Sequence, residues 1–351
     1  MPGFQSILGQ EKPIRLLKML LRNEAIPHAL LFLGIDGVGK STTAKAFAMA
    51  CNCVAMRNRH ISIKEDSPSV RCSTPDVAAE NDGCGCCKSC RKIITDSHPD
   101  IILVEPTGPY IRINQIRNLC NMLAMKPYEA RLRVAIIKDA QAMNPSAGNA
   151  LLKALEEPPA RTVLILTAMQ TSDLLPTIVS RCQHIRFNPI PDDHIKTLLI
   201  EKQGADPDHA EILTIMANGS FSKALFMMRQ RKKTNWIRRR AWLLNEIESL
   251  PRMSVPSCLA FAETLSINKE ILSDSLEVMK SWFRDLIVCR FYPRKVMNKD
   301  IIEKIHKNSK KMTVSSLLSK IEDIHLAQRN IQLNSNLRLT LEVLMMRLAK
   351  I

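Results

Sequence analysis

Aromatic residues make up only 4% of this 351-residue chain. That scarcity disfavours an all-β sandwich, whose strands are enriched in Tyr, Phe and Trp. Long apolar runs are missing as well. The longest, such as Ala29–Leu33 and Val163–Ala168, fall far short of the ~20 residues needed to cross a bilayer. Met1–Arg15 lacks the apolar core of a secretion signal, so the expectation is a soluble, unsecreted, cytoplasmic protein with no membrane partner. An even cysteine set is absent too: eleven Cys without an export signal argue against a disulfide framework and for thiolates in a reducing compartment. Acidic residues are outnumbered 34 to 50, leaving a formal charge of +16 whose field draws polyanions. What remains is a globular composition, 46% hydrophobic and 24% charged, on a chain too long for one core, which predicts two or three domains rich in helix.

The pattern divides the chain in two. Ala29–Leu33 reads as a short buried strand, followed by a Gly-rich turn and a helix over Ser41–Cys51. Further strands are predicted at Ile101–Glu105, Val134–Lys138, Val163–Ala168 and Gln183–Phe187, with helices at Ile113–Met125 and Ser146–Leu155. That alternation predicts an α/β domain with a largely parallel sheet covered on both faces. Beyond Pro191 no strand pattern occurs, and Ala210–Ala217, Ser222–Arg231, Trp236–Ile247, Ser257–Leu265, Lys269–Val288 and Ser315–Leu348 carry helical periodicity. Composition shifts place boundaries near residues 190 and 240. The polar segment 56–83 reads as a surface excursion.

Gly34-Ile35-Asp36-Gly37-Val38-Gly39-Lys40-Ser41 fills the phosphate-loop template between a predicted strand and a predicted helix. In that setting Gly34, Gly37 and Gly39 let main-chain amides wrap phosphates. Lys40 reaches the outer phosphate oxygens, and Ser41 sits at Mg²⁺ with Thr42 beside it. ATP with Mg²⁺ is therefore the expected ligand. Hydrolysis also needs an acidic residue at a neighbouring strand end. After Val134–Ile137 come Lys138 and Asp139: read directly, Lys138 takes the metal-anchoring place and Asp139 that of the water-activating acid, whereas a shift of one residue gives Asp139 to the metal. Nucleotide binding is thus expected to survive better than hydrolysis. Thr167, at a strand end, is a candidate phosphate sensor. Cys84, Cys87 and Cys90 form C-x₂-C-x₂-C, the spacing of a structural Zn²⁺ module around residues 53–90. Cys53 and Cys72 compete for the fourth ligand, and Cys86 is set aside as too close in sequence. Basic clusters at Arg229, Arg231, Lys232, Lys233 and Arg238–Arg240, and at Lys304, Lys307, Lys310 and Lys311, are candidates for sequence-independent contact with DNA phosphates. Trp236 and Trp242 read as packing anchors.

Several runs assemble into a family pattern: Ser6-Ile7-Leu8-Gly9-Gln10, His28-Ala29-Leu30-Leu31-Phe32, the cysteine set, His98-Pro99-Asp100, Asn149-Ala150-Leu151-Leu152-Lys153-Ala154-Leu155-Glu156-Glu157-Pro158-Pro159, Ser180-Arg181-Cys182 and Asn336-Leu337-Arg338-Leu339-Thr340-Leu341-Glu342. Their order resembles bacterial clamp-loader subunits, the AAA+ family that serves DNA polymerase III. The resemblance implies a P-loop AAA+ domain over 1–190 with the inserted zinc module, an all-helical lid over 191–240 and an all-helical collar over 241–351 that oligomerises into a five-subunit ring. It implies Arg181 as an arginine finger offered in trans, Thr167 as a sensor, and Cys53 rather than Cys72 as the first zinc ligand. The implied partners are gamma/tau motor subunits, a delta subunit, the sliding clamp through the complex, and primed DNA. Lys138-Asp139 departs from the acidic pair of the motors, and Ser222 and Lys223 stand where a motor carries Arg. Both departures point to a non-motor stator. A gamma/tau-type motor is the alternative, and a zinc-bearing P-loop regulator outside replication a third reading.

Overall fold

The structure is a computed structural model that describes residues 3–57, 82–229, 235–333 and 335–350. Five strands, β1 (Ala29–Leu33), β2 (Ile101–Val104), β3 (Arg133–Ile137), β4 (Thr162–Ala168) and β5 (Gln183–Arg186), form one sheet in the order β2-β3-β4-β1-β5. Every pairing is parallel. The sequence explains the layout: β1, β3 and β4 are apolar on both faces and are buried along their whole length, as central parallel strands must be. Gln-His-Ile-Arg in β5 buries Ile185 alone and makes an edge. The pattern thus set both the sheet and its parallel sense.

Helices α1 (Glu11–Arg22), α2 (Lys40–Asn52), α3 (Val54–Arg57), α4 (Lys88–Ile94), α5 (Ile113–Ala124), α6 (Pro145–Glu156) and α7 (Pro176–Val179) complete the first half. In α2 small residues let the helix sink into the core, where Ala44, Phe47 and Ala48 are wholly enclosed. The helical half holds α8 (Asp192–Gln203), α9 (Pro207–Ala217), α10 (Phe221–Arg229), α11 (Trp236–Ser249), α12 (Val255–Ser266), α13 (Lys269–Phe291), α14 (Ile302–Ser309), α15 (Val314–Gln332) and α16 (Leu337–Ala349). The run expected as one helix over Ser315–Leu348 is two. Asn336 caps α16 by accepting the Leu339 amide at 3.1 Å, which starts a new helix where periodicity alone suggested continuation. Helices α1, α8 and α14 carried no reading from the sequence.

The chain divides into two compact units, Met1–Thr197 with Gly219–Lys223, and Leu198–Asn218 with Ala224–Ile351. Residues 191–240 are therefore shared between them. In the first unit a buried knot locks the sheet to α5. Asp100 accepts the amides of Tyr128, Glu129 and Ala130 at 2.8–2.9 Å and pairs with Arg133 at 2.8 Å. Arg133 also donates to the carbonyls of Met125 and Lys126 beyond α5. Burial pushes the Asp100 carboxyl up, but these amides and the guanidinium overcome it and hold the group at about 2. In the second unit Arg240 makes a comparable knot with Asp300 and Asn298.

Candidate functional site

Sheet order brings the phosphate-loop residues together with the predicted sensor and acid. Strand β1 lies beside β4, with Leu33 opposite Ala168, and β3 lies on the other flank of β4, with Ile137 opposite Leu166. The chain therefore leaves β1 into Gly34, β3 into Asp139 and β4 past Thr167 at the same carboxyl end, where open α/β sheets bind ligands. Thr167 is buried, and its hydroxyl accepts the Asp139 amide at 3.1 Å. Asp139 itself adopts a left-handed backbone, φ 50°.

Two loop glycines are obligatory. A Cβ on Gly34 (φ 152°) would meet the Phe187 carbonyl oxygen at 2.6 Å, and one on Gly37 (φ 79°) would meet Ser220 Oγ at 2.2 Å. Lys40 is buried, 5% exposed, and its ammonium donates to the carbonyls of Gly34 and Ile35 and to Asp36 Oδ1 at 3.2 Å. The lysine is thus folded into its own loop. Gly219–Lys223 packs over that loop, with the Ser222 amide donating to the Gly37 carbonyl at 3.4 Å. Ser41 is half-buried and Thr42 exposed at the start of α2, while the hydroxyl of Thr43 turns back to the Gly39 carbonyl.

Lys138 and Asp139 separate by environment. Lys138 pairs with Glu105 at the end of β2. Asp139 is half-buried, and its carboxyl is held above the ordinary carboxylate value by burial first and Asp36 second, against the pull of Lys40 and Lys138. The acid that faces the phosphate loop is therefore Asp139, with the lysine drawn off by Glu105. Neither Asp36 nor Glu105 was singled out from sequence, because a carboxylate within the variable loop positions carries no motif.

Cys53, Cys84, Cys87 and Cys90 come together with their sulfurs all within 4.8 Å of one another. Four sulfurs around tetrahedral Zn²⁺ at ~2.3 Å would lie roughly 3.8 Å apart, so the set fits that ion. Backbone amides of Cys84, Cys87 and Cys90 donate to the sulfurs of Cys53, Cys84 and Cys87 at 3.3–3.4 Å, bonds that favour thiolate. Cys72 lies outside the described residues.

Arg181 stands at the other end of the sheet. It precedes β5, whose Gln183 pairs with Leu30 near the start of β1, so about 13 Å of strand separates that level from Gly34. Its guanidinium bonds Glu156 at 2.8 Å and the Thr177 carbonyl at 3.0 Å, and the side chain stays 36% exposed. The neighbouring Cys182 is no nucleophile, since burial raises its thiol to about 11.

The basic candidates divide. Arg240 is buried in its knot and Arg239 lies against Trp242 and Ser275, so neither offers a free charge to DNA, contrary to the sequence expectation. Lys304, Lys307, Lys310 and Lys311 are exposed on and just beyond α14. Arg231, Lys232 and Lys233 lie outside the described residues. Trp236 is buried, and Trp242 packs edge-on against Phe261.

Comparison with known proteins gives a consistent set. Residues 67–191 match the family described as DNA polymerase III, delta subunit, and residues 234–350 match its C-terminal family. A delta' subunit of DNA polymerase III from Bacillus subtilis is 32% identical over 209 residues, 60% of this chain and 56% of that one. The tau subunit from the same species is 29% identical over 65% of this chain and 37% of its own length. The delta' subunit of Pseudomonas aeruginosa is 36% identical over 44% of this chain and 41% of its own. This chain therefore spans between about a third and somewhat over half the length of these relatives. Among solved structures, a gamma subunit-related protein of Thermotoga maritima aligns over 96% of this chain and 99% of its own at 19% identity, with a TM-score of 0.43. No helix among the described residues is long and apolar enough to cross a membrane.

Proposed function

Because the chain belongs to the AAA+ clamp-loader family of DNA polymerase III subunits, we propose that it is a delta-prime-type stator that helps load the sliding clamp onto primed DNA and lends Arg181 to the ATP site of a neighbouring gamma/tau subunit. The observation that carries this reading is the separation of two cations. Lys40 is buried within the chain's own phosphate loop, whereas Arg181 is half-exposed at the opposite end of the sheet, where it cannot reach that loop and can meet only another molecule's phosphates. An Arg fixed at two points and presented outward suits stabilisation of transferring phosphoryl charge.

In this reading the lid spans 191–240 and the collar 241–351, the chain works in the cytoplasm, and the exposed lysines of α14 meet DNA phosphates without sequence preference. Zn²⁺ held by Cys53, Cys84, Cys87 and Cys90 supplies folding energy and no reaction step. MgATP would be held by Gly34, Gly37, Gly39, Lys40, Ser41 and Thr42 with Asp139 at the metal, and Thr167 fixes the Asp139 backbone. Turnover by this chain alone is expected to be weak, because Gly219–Lys223 packs on the loop and Lys40 already has three oxygen partners. A gamma/tau-type motor is the alternative that the complete phosphate loop and the position of Asp139 favour.

The test is ATP turnover by purified gamma/tau with delta, clamp and primed DNA, adding this chain as wild type or Arg181→Ala, with the chain alone as control. Stimulation lost with Arg181→Ala while the complex still assembles is the expected result. Robust turnover by the chain alone, abolished by Lys40→Ala, makes it a motor. Failure to assemble removes it from the loader.

A further inference from the structure

At the amino end of the sheet, opposite the phosphate loop, lies a cavity of about 430 Å³. It forms where the chain enters the sheet: His28 before β1, Leu132 before β3 and Thr162 at the start of β4 all line it. Asn52, the last residue of α2, fixes its floor by accepting the Leu132 amide at 3.0 Å and donating to the Leu132 carbonyl at 2.9 Å. The cavity is therefore part of the scaffold rather than a fold in a surface loop.

Its charges are unbalanced. Arg131 is paired with Glu24 at 2.9 Å, and Glu129 with Lys92 at 2.6 Å. Arg22 and Arg161 also line it, are exposed, and have no carboxylate partner among the described residues. Arg161 is held at φ 58°, a conformation that costs a long side chain on the order of 1 kcal/mol. Two hydroxyls in the wall, Ser89 Oγ and Thr162 Oγ1, are buried without a hydrogen-bond partner among the described residues. Thr162 is only 7% exposed, and an unpaired polar atom so enclosed is uncommon.

Free donors without acceptors call for an anion. Two guanidinium forks and two hydroxyls offer more donors than the two oxygens of a carboxylate take up, and they suit the three terminal oxygens of a phosphate. Leu21, Ile26 and Pro158 supply an apolar wall. The volume falls within the ~300–1,000 Å³ of small-molecule sites. We infer that this cavity binds a small phosphomonoester with an apolar body, at a site separate from the nucleotide loop.

The experiment is a calorimetric titration of phenyl phosphate into the full, zinc-loaded chain carrying Lys40→Ala, which silences the phosphate loop. Saturable one-to-one binding is expected, about tenfold or more tighter than inorganic phosphate or benzoate, because each of those lacks half of the recognised chemistry. Arg22→Gln and Arg161→Gln, both exposed, should each weaken it about tenfold. Thr162→Val should raise the Tm of the free chain by removing an unpaired hydroxyl, yet weaken phenyl phosphate. Absence of binding, affinity unchanged by both arginine substitutions, or inorganic phosphate bound as tightly as the ester would each overturn the assignment.

Discussion

The two ends of one parallel sheet hold their cations differently. At the carboxyl end Lys40 is turned inward onto the Gly34 and Ile35 carbonyls and Asp36, and Gly219–Lys223 packs over the loop. At the amino end Arg181 is tethered by Glu156 and the Thr177 carbonyl yet remains open to solvent. An exposed ion pair of this kind is worth at most about 1 kcal/mol, so a phosphate can compete for Arg181 at small cost. A lysine buried among three oxygens must be released before it can act. The difference teaches that a complete motif and an available charge are separate properties, and here the weaker motif carries the freer cation. Arg181→Ala should break the comparison most severely, lowering partner turnover on the order of 10³-fold at the site it serves, as measured in the reconstituted loader. Arg181→Lys should recover little of it, since an ammonium cannot keep both tethers and present a fork.

Between the two ends lies the scaffold that keeps them apart. Asp100→Asn leaves Arg133 without its charge partner in a dry site, and a loss of about 3–5 kcal/mol in unfolding free energy by denaturant titration is expected. The pH dependence follows in sign. Asp100 is depressed from 3.8 to about 2 in the fold, so its contribution is present above the unfolded value and is lost as the pH falls from near 4 through 2. A chain with Asp100→Asn should lose that part of its acid sensitivity, and an unchanged stability profile between those limits would show that the knot is not the group responsible.

The sheet and the phosphate loop were legible because their signals are local: apolar runs of five residues for strands buried on both faces, and glycines at fixed offsets before Lys40. The cysteine spacing likewise identified three ligands, while Cys53 became visible only once α2 had carried its end to the C-x₂-C-x₂-C turn. Long-range charge was not legible. Nothing local announces that Lys138 will be drawn to Glu105, that Asp100 will gather three amides from a loop 28–30 residues away, or that Arg240, one of a basic run, will be buried against Asp300. A basic run shows charge, whereas burial depends on which helix face the fold covers.

The remaining two tests concern carboxylates that the carboxyl end holds at a disadvantage. Asp139 is raised above the ordinary carboxylate value by burial and by Asp36. The sign is therefore opposite to that of Asp100: its charged form opposes folding at neutral pH, and the opposition is relieved as the pH falls through its folded value. Asp139→Asn should raise Tm slightly while weakening Mg²⁺-dependent nucleotide binding, the trade expected where a site is poised for a ligand rather than for stability. A lower Tm would place Asp139 among the structural groups instead.

The smallest effect is the most discriminating. Asp36 is itself largely exposed and pairs with Lys40 at 3.2 Å, so it competes with any phosphate for that ammonium and repels the phosphate as well. Asp36→Asn should tighten MgADP or MgATP binding by about 1.5- to 5-fold, the range that an exposed pair of this strength allows, and the gain should shrink at high salt. Because turning the lysine outward should not uncover the loop from Gly219–Lys223, turnover by the chain alone should stay low. If Asp36→Asn instead raises turnover in proportion to affinity, the inward lysine was the main restraint, and the two ends of the sheet differ by one carboxylate rather than by design of the whole loop.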